Sequence, residues 1–384
     1  MTLQASAIVV GSGTVGPEAS ADFASLRQRI GKYADAAPAF EAVARRREAR
    51  AQAAEADGYL VTACHNFFMA AVHWGAAQWT INENDDQNRM YNDRKRECYR
   101  NFGKHADHVV EEVWIPLPSG QSLPGWFHLP PGYDGARLPT VVAVHGMDSF
   151  KEHGVYLQGD RWLQRGFAVL AIDGPGQYES AMLGIHFTME AWMATGRACV
   201  DWLSKRAEVN TEKIGMSGVS FGSFFGTIAA AHEPRIGAVA VAGVCHEPGF
   251  HTIFEEASPT FKMRFMYISG IDDEAEFDEF RRSMTWEGHA ERITAPYLCL
   301  AGESDELSRL VHTRRLMAGL GGAKRLVVYQ DSRHAIASVP AANLGPYPPA
   351  LVADWMAASL QGKAFPNEQW YVEASGRIVK KPLA

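Results

Sequence analysis

Three residues of this 384-residue chain have the types and the order to make a nucleophile, a base and a supporting carboxylate: Ser220, His334 and Asp305. Ser220 is the centre of Gly218-Val219-Ser220-Phe221-Gly222, a G-x-S-x-G pentapeptide. A short apolar lead-in, Ile214 to Met216, reads as a buried strand, and the Ala- and Phe-rich stretch Ser223 to Ala231 reads as a buried helix. A serine on a tight turn between strand and helix needs neighbours without Cβ atoms, and it is held above the sheet edge with its hydroxyl exposed. The same turn aims the Phe221 N–H and the helix N-terminus at developing negative charge. Ser217 is a rival without the second glycine. The pentapeptide alone is a weak signal, because Gly and Ser are common in turns.

The downstream residues strengthen it. Asp305 follows a predicted strand over 297–301, and His334 follows one over 325–329. Both sit at C-terminal strand ends, as Ser220 does. In this pattern His334 takes the Ser220 proton, and Asp305 fixes the imidazole tautomer and stabilises the imidazolium. Glu303 and Glu306 are alternative carboxylates. His145-Gly146-Met147 closes a predicted strand over 140–144, so the amide of Met147, or of Gly146, would join that of Phe221 in an oxyanion hole. Glu247 follows a predicted strand over 238–244. A carboxyl group there could carry a proton, or simply cap a loop.

These residues need a scaffold. Apolar strands alternating with helices from residue 108 onward predict a mostly parallel sheet covered on both faces, with functional groups at the C-terminal strand ends. A hairpin is expected around Pro118-Ser119-Gly120, a helix over 189–203 and another over 351–360. Residues 21–105 read as helical, with an aromatic stripe that packs or walls an apolar ligand. We therefore expect an arm over 1–19, a helical domain over 20–107 and a catalytic domain over 108–384. Within the last, 247–292 would be an excursion near the site.

Composition narrows the function. The chain is 47% hydrophobic and 21% charged, as soluble globular proteins are, and a net charge of −7 argues against a nucleic-acid partner. No apolar run is long enough to span a bilayer, and the first residues lack a secretion signal. The five scattered cysteines read as reduced thiols in a cytoplasmic protein. Gly11, Gly13 and Gly16 match G-x-G-x-x-G, but no second strand follows, so we expect an arm and no cofactor. No metal-ligand spacing is present, so no metal is expected.

Taken together, the helical N-terminal layer, His145-Gly146, Asp173-Gly174-Pro175-Gly176-Gln177, the Gly218–Gly222 turn, Gly302-Glu303-Ser304-Asp305 and His334 resemble the 2,6-dihydroxypseudooxynicotine hydrolase family. The chain is also similar to fungal heptaketide hydrolases and the fermentation-respiration switch protein. One departure is Tyr178, where a glycine is expected before Glu179. The resemblance implies an α/β-hydrolase core and a helical N-terminal domain forming a lid or wall over the cleft. It also implies a homodimer and a small aromatic or apolar substrate. Some members hydrolyse carbon–carbon bonds of aryl ketones or polyketides and others cleave esters. A glutamate soon after the nucleophile is catalytic in the pseudooxynicotine enzyme, and Glu247 is its nearest match.

Overall fold

The computed structural model describes residues 16–155 and 160–383, so Gly11 and Gly13 lie outside the described residues. The first described helix, α1 (Gly16–Arg29), already occupies the last residues of the expected arm. It is followed by α2 (Ala36–Ala56), α3 (Leu60–Gln78) and α4 (Asp86–His105). The start of α4 is fixed by Asp85, whose carboxylate accepts the Asn88 N–H at 2.7 Å, and Lys104 and His105 complement the dipole in its last turn.

A hairpin of β1 (Val109–Pro116) and β2 (Ser122–Leu129) opens the sheet, followed by β3 (Leu138–Val144), β4 (Ala168–Ile172) and the short helix α5 (Tyr178–Met182). Then come α6 (Met189–Leu203), β5 (Val209–Ser220), α7 (Phe221–Ala231) and β6 (Ala238–Val244). Two helices of the excursion follow, α8 (Pro259–Ser269) and α9 (Glu274–Arg281). The chain closes with β7 (Tyr297–Gly302), α10 (Leu310–Gly319), β8 (Lys324–Tyr329), α11 (Pro340–Leu344), α12 (Pro348–Leu360), β9 (Glu368–Val372) and β10 (Ile378–Pro382).

Ten described strands form one sheet in the order β1-β2-β4-β3-β5-β6-β7-β8-β9-β10. The run from β4 to β9 is parallel, and β1, β2 and β10 supply the antiparallel edges. This is the sheet of an α/β hydrolase. Strand β3 pairs with β4 on one side and β5 on the other, so the order reverses there, and a crevice opens outside the ends of β3 and β5.

Side chains alternate between two cores. Val142, Val144, Leu170 and Ile172 face the core that holds the excursion, while Val141, Ala143, Val169 and Ala171 face the N-terminal helices and α12. Each such Val, Leu or Ile contributes roughly 1.5–3 kcal/mol of burial.

The aromatic stripe of the helical layer is spent on packing. Phe68 meets Tyr99 and Phe102, Trp74 meets Tyr91, and Tyr99 lies 4.8 Å from Trp126 of β2. The layer reaches the site indirectly, through Phe150: a Cβ on Gly75 of α3 would fall 2.1 Å from the Phe150 ring. The excursion packs on the first turn of α7, where Phe250 and Phe265 lie 4.8 and 4.9 Å from Phe221.

Candidate active site

Ser220 ends β5 at φ 56°, ψ −128°, a conformation that costs an L-residue free energy and persists only where its surroundings enforce it. The two pentapeptide glycines enforce it. A Cβ on Gly218 would fall 2.1 Å from the Gly222 carbonyl oxygen, and one on Gly222 would fall 2.4 Å from that of Val144. Strand, turn and helix can therefore approach only with glycine at both places.

The turn presents Ser220 Oγ to His334, whose Nε2 is 2.9 Å away. His334 Nδ1 lies 3.0 Å from Asp305 Oδ2. Asp305 is itself held, because its Oδ1 accepts the N–H groups of Leu307 at 2.9 Å and Ser308 at 3.1 Å. Glu306, considered above as a substitute for Asp305, instead accepts the His334 N–H at 3.0 Å. Burial disfavours the imidazolium, but the charge and hydrogen bond of Asp305, helped by Asp148 and Glu306, outweigh it, and the His334 pKa is raised.

The loop after β3 forms the facing wall. Gly146 comes so close to the nucleophile that a Cβ there would fall 2.9 Å from Ser220 Cβ. Phe221 is the first residue of α7, so its N–H has no partner within the helix, and Met147 follows Gly146 on the facing loop. Gln177 anchors that loop: its Nε2 donates to the carbonyl oxygens of His145 at 2.6 Å and Gly146 at 3.2 Å, and its Oε1 accepts the Gly174 N–H at 2.8 Å. Tyr178, in the place of the expected glycine, has φ 28°. Its ring is buried against Phe150, and its hydroxyl donates to the Asp148 carbonyl oxygen at 3.1 Å.

Beneath this loop lies a buried charge cluster. Lys151 Nζ contacts Glu179 at 2.6 Å, Glu152 at 3.0 Å and Asp173 at 3.2 Å.

A cavity of about 220 Å³ opens over Ser220, Gly146 and His334. Its walls are mostly aliphatic, with Val219, Leu307, Ile336 and Val352 among them, and no residue of α1 to α4 lines it. The helical layer therefore buttresses the loops of the site, and among the described residues it does not wall this cavity.

Glu247 is not brought to the cavity. Its Oε2 accepts the Thr252 N–H at 2.9 Å, and its Oε1 lies 3.9 Å from His312. Pro248 follows it directly, and the Glu247 carboxylate caps the turn that begins at Thr252. The sequence reading missed Asp148, a carboxyl group that does line the cavity. Its signal was the acid directly after His145-Gly146-Met147.

Comparison with known proteins places the chain among hydrolases. The X-Pro dipeptidyl-peptidase (S15 family) model matches residues 103–255. The chain is 29% identical over 252 residues to the α/β hydrolase xenA of Xenoacremonium sinensis, covering 63% of this chain and 58% of that protein. It spans 44% and 45% of the length of two further fungal hydrolases. It is 26% identical over 276 residues to the 2,6-dihydropseudooxynicotine hydrolase of Paenarthrobacter nicotinovorans, covering 71% of each. A crystal structure of 2,6-dihydroxy-pseudo-oxynicotine hydrolase superposes with a TM-score of 0.76 at 24% identity, over 90% of this chain and 94% of the other.

Proposed function

We propose that this chain, with the fold of an α/β hydrolase and hydrolases among its relatives, is a serine hydrolase that uses Ser220, His334 and Asp305 to cleave a carbon–carbon bond beside a carbonyl in an aryl ketone or polyketide-like molecule. The observation that carries the hydrolase reading is the hydrogen-bonded line from Ser220 Oγ through His334 to Asp305, opening into an apolar cavity. The carbon–carbon preference rests on the resemblance to the pseudooxynicotine enzyme.

In this mechanism His334 Nε2 accepts the Ser220 proton as Oγ attacks the substrate carbonyl. The Phe221 amide and the facing amide of Met147 or Gly146 receive the oxyanion, a contribution of about 3–4 kcal/mol per donor in such sites. Collapse expels the leaving group and leaves an acyl-Ser220 ester, which water hydrolyses with His334 again as base. The resemblance also supports a homodimer, and the five free, buried cysteines suit a cytoplasmic setting.

The second reading is an esterase, lactonase or amide hydrolase using the same residues. It is favoured by Glu247, whose carboxylate accepts the Thr252 N–H and is not among the residues that line the cavity. A panel of aryl 1,3-diketones and matched aryl esters, with products identified, separates the two. The proposal expects a carboxylic acid and a ketone from a diketone; turnover of esters alone would replace it with the second reading.

A further inference from the structure

Carbon–carbon hydrolysis requires an acid for a leaving carbon, and Glu247 is hydrogen-bonded elsewhere. Two carboxyl groups line the cavity, and of these Glu306 is engaged by the His334 backbone N–H at 3.0 Å and by Arg333 at 3.5 Å, which leaves Asp148. Asp148 follows Gly146 by two residues and lines the same cavity as Ser220 and His334. Among the described residues its carboxyl accepts the Ser149 hydroxyl at 3.5 Å and forms no ion pair with a Lys or Arg. Its backbone is fixed by the Tyr178 hydroxyl at 3.1 Å. Mostly aliphatic surroundings favour the protonated form of such a carboxyl group, and the protonated form is a proton donor.

We propose that Asp148 is the acid of this site that protonates the departing carbon. The role rests on the carbon–carbon reading above. Ser220 gives its proton to His334 as the Oγ–C bond forms. When the carbon–carbon bond breaks, its electron pair stays on the leaving carbon, which takes the Asp148 proton. The Asp148 carboxylate then recovers a proton from the His334 imidazolium. Neutral His334 next takes a proton from the water that attacks the acyl-Ser220 ester and returns it to Ser220 Oγ. One water is added across one carbon–carbon bond, and no oxidant is needed.

Burial pushes the Asp148 pKa up, against the pull of His334. Arg333 and Glu306 lie on the same cavity wall, and Tyr178 and Cys245 also feel the Asp148 charge. An acid of this kind works while protonated, so diketone cleavage falls as pH rises through its pKa.

The test compares wild type with Asp148→Asn on 1-phenyl-1,3-butanedione and p-nitrophenyl butyrate from pH 5 to 9. A fluorophosphonate probe on both proteins checks that Ser220 remains reactive. We expect the variant to lose about 100-fold or more on the diketone, the scale of positioned acid catalysis, to lose much less on the activated ester, and to lack the alkaline fall of the diketone profile. Equal effects on both substrates, or an unchanged diketone profile, would overturn the role of Asp148 alone. A wild type that cleaves the ester and not the diketone would overturn the carbon–carbon reading and this role together.

Discussion

His334 Nε2 lies 2.9 Å from Ser220 Oγ although the two residues are 114 positions apart in sequence. The distance is set by two strand ends: β5 delivers the serine and the loop after β8 delivers the histidine. Gly302 makes room for that loop, since a Cβ there would fall 2.3 Å from the Arg333 carbonyl oxygen.

The first prediction concerns pH. His334 must be neutral to accept the Ser220 proton, and its pKa is raised above the ordinary 6.5. Hydrolysis of p-nitrophenyl butyrate should therefore rise with pH through a midpoint above that value. Asp305→Asn removes the charge that outweighs burial, so the midpoint should move to lower pH and kcat should fall by about 10⁴-fold. A midpoint that stays in place would remove Asp305 from its assigned role.

The pentapeptide glycines make the second prediction. Gly222→Ala puts a methyl group 2.4 Å from the Val144 carbonyl oxygen, and Gly218→Ala puts one 2.1 Å from that of Gly222. Backbone cannot yield cheaply at either place, so each variant should lose folded protein or fluorophosphonate reactivity. Gly166→Ala is the control, because its φ is also positive (74°) but nothing lies within 4 Å of its added Cβ. It should show only the modest cost of a left-handed alanine, on the order of 1 kcal/mol.

The buried lysine can be tested by denaturation. Lys151 is enclosed with Asp173, Glu152 and Glu179, and Lys151→Met would leave Asp173 without its ion-pair partner, while Glu152 keeps Lys95 at 3.7 Å and Glu179 keeps Arg96 at 3.0 Å. We expect a loss of about 3–5 kcal/mol, read from the urea midpoint at constant slope. An unchanged midpoint would mean the cluster contributes little.

Much of this architecture is legible in the sequence. The helix over 189–203 and the strand over 238–244 match their predicted bounds, because apolar runs with clear flanks leave few alternatives. Strand β5 is longer than its apolar lead-in, since its first half carries the polar Asn210, Thr211 and Glu212. The addition of β9 and β10 to the main sheet was hidden, because a short hairpin does not announce which edge it joins. The site shows the same limit. Ser220, Asp305 and His334 sit at strand ends, which the sequence marks. The directions of Glu247 and Asp148 depend on loop geometry, and Pro248 and Tyr178 control it through contacts that spacing cannot reveal.

Gln177 gives a prediction specific to the oxyanion wall. It ties the loop over 173–177 to the carbonyl oxygens of His145 and Gly146. Gln177→Leu should keep the fold and lower kcat for p-nitrophenyl butyrate by about 10-fold or more, with a smaller effect on KM, because the amides that meet the oxyanion lose their anchor. A change confined to KM would place Gln177 in substrate binding instead.

Active-site labelling asks whether Ser220 is the nucleophile. A fluorophosphonate probe is incubated with wild type, Ser220→Ala and Ser217→Ala, and the modified peptide is identified by mass spectrometry. One phosphonate is expected on Ser220 in wild type and in Ser217→Ala, none in Ser220→Ala, with a parallel loss of ester turnover of about 10⁴–10⁶-fold in Ser220→Ala alone. Labelling at another residue, or a Ser220→Ala protein that keeps most of its turnover, would contradict it.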